Sequence, residues 1–486
     1  MGFVFYLMLR PYQIEFVNNI RSALAIHKKI IACAATGSGK SKVFISIAKA
    51  AVEKGRRVLI ISESLKIYKQ ISDEIGDCQN IGNGVKESGV DINSKIFVAM
   101  AQTLAKRELL VKWFAEMGEG LLVITDEIHV GTPTKLLQQL PNAYQLGFTA
   151  TPDFRFAKHL PLLYNHIVVG PQPQGLVEAG YLSPYYHYAR KVVNLSGLKK
   201  GHGGDFTEKS QEMAFEKKEV FEGLLDDLLK FTFKKCMIFC ASIKHCEYVV
   251  RDLRTFGYKV SEVHSKNVRS DYELFQFTSG PNKICVSVGS LTKGFDFPDI
   301  DLLVLNRATI SLPLYLQMIG RGSRKAEGKS KFTVIDMGGN GQRHGLWNMD
   351  RDWEDMWSKK PKEKGVAPVK SCPKCDFIMH VSLTHCPNCN HEFVEVVAIK
   401  PKKETELIEL TAGYNELRGK KVSDLNPKEL SCYAKFTGRK NFAIRIARSK
   451  GGPYLGEYTK AMGYKAGFIY HNQPDQTIEF NNITIL

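Results

Sequence analysis

The chain has 486 residues, 44% hydrophobic and 24% charged, with a formal net charge of +17. That length suggests about three domains at ~150 residues each, and the composition excludes a disordered or fibrous chain. The positive excess favours a polyanionic partner, nucleic acid first, over a merely basic surface. Eleven irregularly spaced cysteines do not form a disulfide framework and suit a reducing, cytoplasmic setting.

Residues 1–9 are apolar but too short to span a membrane, and they lack the basic region and cleavage site of a signal peptide. No membrane association is expected. Recognisable patterning begins at Leu9-Arg10, which makes Met8 a candidate alternative start. Arg10-Pro11-Tyr12-Gln13 opens a helix, and the Gln13 carboxamide is of a type that reads an adenine edge.

An apolar strand, Ile30–Cys33, runs into Ala34-Ala35-Thr36-Gly37-Ser38-Gly39-Lys40-Ser41 and then a helix-patterned stretch. This is a phosphate cradle. Gly37 and Gly39 let backbone N–H groups converge, flanked by Thr36 and Ser38, and the helix N-terminus adds partial positive charge. Lys40 would reach the β- and γ-phosphates of ATP and Ser41 would ligate Mg²⁺. Ala34 stands where the generic pattern has its first glycine.

Strands follow at Arg57–Ser62 and Lys95–Met100, the latter leading into Gln102 and Thr103. Gly120–Thr125 then delivers Asp126-Glu127-Ile128-His129. A lone acidic pair at a strand end is ordinarily solvated. Here it follows a phosphate loop and a buried run, so Asp126 is read as a Mg²⁺ partner and Glu127 as the group that polarises the attacking water. Another strand ends in Thr149-Ala150-Thr151-Pro152.

Arg10/Gln13, Ala34–Ser41, Asp126–His129 and Thr149–Pro152 together resemble the first RecA-like domain of a superfamily 2, DExH-type DNA helicase. The resemblance is to phage and repair enzymes of branch migration and fork remodelling. It extends from about residue 9 to 345. It implies that His129, Thr149 and Thr151 couple the nucleotide site to the strand, and that Gln102 and Thr103 touch nucleic acid.

In the second half, strands at 235–240, 283–288, 301–305 and 332–336 repeat the αβ alternation. Ser290–Pro298 resembles helicase motif V, placing Thr292 and Gly294 at the nucleic-acid backbone and Asp296 at the nucleotide. Gln317-Met318-Ile319-Gly320-Arg321-Gly322-Ser323-Arg324 resembles motif VI. Arg321 and Arg324, three apart on an expected helix, would face the γ-phosphate, Arg324 as the finger.

Cys372-Pro373-Lys374-Cys375 and Cys386-Pro387-Asn388-Cys389 are two C-x-x-C knuckles, a tetrahedral thiolate set for structural Zn²⁺ rather than a redox pair. Residues 435–450 carry six basic residues and no acid. Arg439, Lys440, Arg445 and Arg448, with Phe436 and Phe442 interleaved, have the composition of a nucleic-acid grip, against the plainer alternative of a solvated basic helix with its aromatics in a small core.

The expected architecture is α/β: two tandem RecA-like parallel-sheet domains, a small zinc ribbon and a basic C-terminal α+β region. The boundaries are 1–155 for the first domain, 156–182 linker, 183–350 for the second, 351–370 linker, 371–398 ribbon and 399–486 tail. The resemblance implies an ATP-dependent 3′–5′ translocase on single-stranded, forked or branched DNA, working beside replication, repair or recombination proteins. Competing readings are a restriction-system motor, an RNA helicase and an inactive zinc-ribbon scaffold.

Overall fold

The computed structural model describes residues 9–82, 84–128, 133–152, 160–190, 198–201, 205–215, 218–289, 291, 297–358, 369–371, 378–380 and 407–464. Two seven-stranded sheets organise it. The first holds β1 (Lys29–Cys33), β2 (Arg57–Ser62), β3 (Gln79–Ile81), β4 (Ile96–Met100), β5 (Leu121–Thr125), β6 (Tyr144–Thr149) and β7 (His166–Val169). Their order is β3-β4-β2-β5-β6-β1-β7, and every pairing is parallel.

The second sheet holds β8 (Tyr185–Arg190), β9 (Cys236–Cys240), β10 (Val260–Val263), β11 (Ile284–Ser287), β12 (Leu302–Asn306) and β13 (Phe332–Asp336). Beyond it come β14 (Val369–Ser371), β15 (Ile378–His380) and β16 (Leu407–Glu409). The sheet order is β10-β11-β9-β12-β13-β8-β16, parallel except for the antiparallel β16–β8 edge.

Near-continuous apolar strands such as Leu121–Thr125 and Cys236–Cys240 are buried along their length, as parallel sheets covered on both faces require. Alternation divides them between cores. Ile31 and Cys33 of β1 face one cluster, and Ile30 and Ala32 the opposite one. The first cluster continues through the second domain into the C-terminal helices, reaching Tyr433, Ile446 and Tyr458. The tail is therefore packed onto the sheet domains.

Two stretches supply strands that the sequence reading did not place. The segment 156–182, expected to be linker, supplies β7, which pairs with β1 from Ile30↔His166 to Cys33↔Val169. The tail contributes β16 to the second sheet, antiparallel to β8. Neither strand exceeds four residues, too short for a periodic signal. The zinc-ligand expectation, Cys372, Cys375, Cys386 and Cys389, falls outside the described residues. So do His129, Thr292, Gly294 and Asp296. β14 and β15 pair antiparallel from Val369↔His380, bracketing the first knuckle in sequence.

Candidate nucleotide site

The phosphate loop leaves the carboxyl end of β1, where open α/β sheets place ligands. Its first residue is pinned by the Ala34 N–H, which donates to the Thr149 carbonyl at 3.0 Å. Thr149 in turn accepts the Thr151 N–H on its own hydroxyl at 3.1 Å, and both threonines are fully buried. The loop and the Thr149–Thr151 strand end thus share backbone, the physical link that a coupling role needs.

Gly37 and Gly39 have φ of +85° and +77°, a left-handed backbone that glycine adopts without a Cβ clash. Gly39 is the N-cap of the helix Lys40–Glu53. The Lys40 ammonium lies 3.4 Å from the Ala34 carbonyl oxygen and 3.7 Å from Glu127 Oε1. Asp126, at the end of β5, is buried. Glu127 is the only non-glycine residue with positive φ among those described, at 51°. Such a conformation costs of order 1 kcal/mol or more and concentrates at functional sites. Asp126 and Glu127 line a cavity of about 570 Å³ with Ser62, Ser64, Lys66 and Asp271.

Gln13 reaches the phosphate loop itself. Its amide nitrogen donates to the Ser38 carbonyl at 2.9 Å, and its carbonyl oxygen accepts the Arg10 N–H at 2.9 Å. The amide end of Gln13 thus braces the phosphate loop while its carbonyl end caps the helix Pro11–Ile26, and the Tyr12 hydroxyl donates to the same Ser38 carbonyl at 3.0 Å. Arg10 sits over the Tyr181 ring at 5.1 Å. Gln102 is exposed and Thr103 half-buried just past the carboxyl end of β4, where a ligand can reach them.

The second domain closes directly on this loop. A carbon added to Gly320 would stand 2.7 Å from Thr36 Cγ2. One added to Gly37 would stand 3.1 Å from Leu182, 3.2 Å from Ser323 Oγ and 3.8 Å from Arg324 Cγ. Arg324 is therefore at the phosphate loop, but not as the spacing implied. The helix Leu312–Gly320 ends before it, Arg321 being the C-cap, and Arg324 forms a bridge with Leu182. The pair does not share one helical face. Gln317 and Arg321 are buried.

Sequence reasoning missed the residues that shape this loop. The Ser183 N–H donates to the Ser323 carbonyl at 2.7 Å, and its hydroxyl donates to the Arg324 carbonyl at 3.2 Å. Nothing in the local pattern around Ser183 signals a partner so far along the chain.

The basic tail needs a larger correction. Arg439 Nη1 is 2.7 Å from Glu178, its Nε bonds Asp350, and its Nη1 also donates to the Tyr433 hydroxyl at 3.1 Å. Phe436 is buried and stacked on Tyr414 with centroids 3.8 Å apart. Neither side chain is presented to nucleic acid. Lys440 is exposed, and Arg445 and Arg448 are half-buried on the helix Lys440–Ser449.

Comparison with known proteins accords with this geometry. The model of the type III restriction enzyme res subunit matches residues 6–154, and that of the helicase conserved C-terminal domain matches 216–326. A 51.5 kDa protein of a Lactococcus phage is 28% identical over 86% of this chain and 89% of its own. The putative ATP-dependent helicase IRC3 of Saccharomyces cerevisiae is 25% identical over 68% of this chain. The endonuclease subunit of the type I restriction enzyme EcoAI of Escherichia coli is 25% identical over 67%. The chain spans 51% and 46% of those last two relatives. A fragment of a putative HsdR subunit of a type I restriction enzyme from Vibrio vulnificus YJ016 shares the fold, with TM-score 0.56, 23% identity, and coverage of 69% of this chain and 65% of that one.

Two RecA-like domains closing a phosphate loop against an arginine-bearing loop define a helicase-type ATPase motor of superfamily 2. Its activity is nucleic-acid-dependent ATP hydrolysis, for which ATP and Mg²⁺ are the usual substrate and ion.

Proposed function

We propose that this motor is an ATP-dependent DNA translocase that moves 3′ to 5′ and unwinds or remodels forked or branched DNA. The observation that carries the motor chemistry is the apposition of Gly37 to Ser323 and Arg324 across the domain boundary. ATP bound on the first domain would meet guanidinium groups only when the second closes. Arg321 and Arg324, permanently charged, would then stabilise charge developing on the γ-phosphate.

The roles of the other residues follow from their positions. Gly37, Ser38, Gly39 and Thr36 would wrap the phosphates. Lys40, now beside Glu127 and the Ala34 carbonyl, would turn to the β- and γ-oxygens and leave Glu127 to polarise the attacking water. Ser41 and Asp126 are hard-oxygen donors that fit Mg²⁺, which neutralises phosphate charge when bound. Gln317 would position this chemistry, and Thr149 and Thr151 would transmit it through their bond to the loop. Arg10 and Gln13 would frame the adenine side, Gln13 also bracing the loop.

Gln102, Thr103, Thr292 and Gly294 would hold the strand, with Lys440, Arg445 and Arg448 as an outlying grip. Asp296 and His129 would link that strand to the nucleotide. Zn²⁺ would be held by Cys372, Cys375, Cys386 and Cys389, the antiparallel β14–β15 pair being consistent with a ribbon. No described helix is long and apolar enough to cross a membrane, which is compatible with work on DNA in the cytoplasm beside replication, repair or recombination proteins.

A second reading, the motor of a restriction system, is favoured by the res-subunit match over residues 6–154. Steady-state ATPase with single-stranded DNA, duplex, fork, four-way junction and RNA, alongside Glu127→Gln, separates the readings. Stimulation by forked DNA that is lost in the variant is expected. Equal stimulation by plain duplex favours the restriction motor, and stimulation by RNA alone overturns the DNA assignment.

A further inference from the structure

Lys329 belongs to none of the recognised motifs, and it is half-buried behind the arginine-bearing loop. Its Nζ donates to three main-chain carbonyls: Gly322 at 2.7 Å, Arg324 at 2.9 Å and Pro298 at 2.7 Å. A protonated lysine has three N–H donors, so its hydrogen-bonding capacity is filled by these three oxygens. Two of them flank Ser323, whose hydroxyl lies against Gly37. The third closes the Ser290–Pro298 stretch that resembles motif V.

We propose that Lys329 is a positioning residue: its ammonium fixes the loop that carries Arg324 against the phosphate loop, and ties that loop to the end of the Ser290–Pro298 stretch. The inference rests on the reading of Arg324 as a γ-phosphate contact.

The loop is clamped from several sides, which makes a missing tie consequential. A carbon on Gly322 would stand 2.5 Å from the Phe332 ring and 2.9 Å from Leu303, so the backbone is already pressed onto β12 and β13. Ser183 holds the carbonyls of Ser323 and Arg324 from the other side. Lys329 in addition joins the loop to Pro298. Charged hydrogen bonds to carbonyls are stronger than neutral ones, and loss of the ammonium takes this donor from the Gly322 and Pro298 oxygens and leaves the Arg324 oxygen with the Ser183 hydroxyl.

The environment also makes the tie sensitive to pH. Burial pushes the Lys329 ammonium down to about 8, against the attraction of Asp301 and Asp299 and with the repulsion of Arg324. The other facing group is the Phe332 ring, 5.7 Å away and uncharged. As pH rises through about 8 the amine keeps only two N–H donors for three carbonyls, and one tie is lost.

The test uses the full chain and single-stranded-DNA-stimulated ATPase of wild type, Lys329→Met, Lys329→Arg and Arg324→Ala, between about pH 6.5 and 9.5. Lys329→Met is expected to lower kcat by about 10- to 100-fold while leaving the KM for ATP within about twofold, because misplacement acts on the transition state. Wild-type kcat is expected to fall on the alkaline side near pH 8, and Lys329→Arg, which stays charged, to lose that limb. Thermal melts report folding.

A folded Lys329→Met with wild-type kcat, or an alkaline limb that persists unchanged in Lys329→Arg, overturns the inference. The second criterion stands even where the methionine variant fails to fold. Wild-type kcat in Arg324→Ala instead removes the reading of the finger beneath it. A dead Arg324→Ala beside a normal Lys329→Met removes only the clamp.

Discussion

The phosphate loop and the basic stretch 435–450 both advertise anion binding in sequence, yet the structure uses their charges differently. At the loop, Lys40 sits beside a carboxylate and a carbonyl at 3.7 and 3.4 Å, distances that a phosphate can readily replace. In the tail, Arg439 is locked between Glu178 and Asp350 with a tyrosine hydroxyl as third partner. A loosely held cation awaits a ligand, and a tightly paired buried one holds protein together. Charge alone does not distinguish them; the neighbours do.

The comparison breaks first at Lys40. Lys40→Ala should reduce ATP hydrolysis by about 1,000-fold or more, since it removes charge stabilisation at the phosphates. DNA binding, measured by anisotropy without nucleotide, should stay within about threefold, because the proposed strand contacts lie elsewhere. A folded variant that loses DNA binding would place Lys40 in the tail's category, as a structural cation.

Arg439→Ala should do the reverse. Removing the cation strands Glu178 and Asp350 in a site where Asp350 is pushed upward by burial, and breaking such a pair destabilises by about 3–5 kcal/mol. Chemical denaturation should show that loss, while kcat per folded molecule changes little. A stability change below about 0.5 kcal/mol would return Arg439 to the solvent-facing group.

These differences also mark what a single sequence can disclose. The phosphate loop, the Asp126-Glu127 strand end and the strands around them were legible because their chemistry demands contiguous residue types on short turns. Arg439 was not, because Glu178 lies 261 positions away and Asp350 lies 89 away. Phe436 looked like a stacking platform because nothing local reveals that Tyr414 already covers it. The three-residue spacing of Arg321 and Arg324 suited a helix, but the helix stops at Gly320 and the loop is shaped by Ser183 and Lys329. Gly438 ends the helix Pro427–Thr437 at φ +78°, and a carbon added there would stand 2.3 Å from the Asp350 carbonyl oxygen. That glycine lets the chain pass directly into the next helix, Lys440–Ser449, which carries Arg445 and Arg448.

Arg445 and Arg448 give the finest test, since they lie three apart on that helix and both retain partial exposure. If each neutralises one phosphate, replacing both with glutamine should lower the slope of log affinity against log salt by about 1.4 to 1.8. Affinity at low salt should fall by roughly tenfold, with the ATPase maximum at saturating DNA almost unchanged. Titrations at several salt concentrations read this directly. An unaltered slope would assign both arginines to the structural role already filled by Arg439, leaving the motor cleft to bind the strand without the tail.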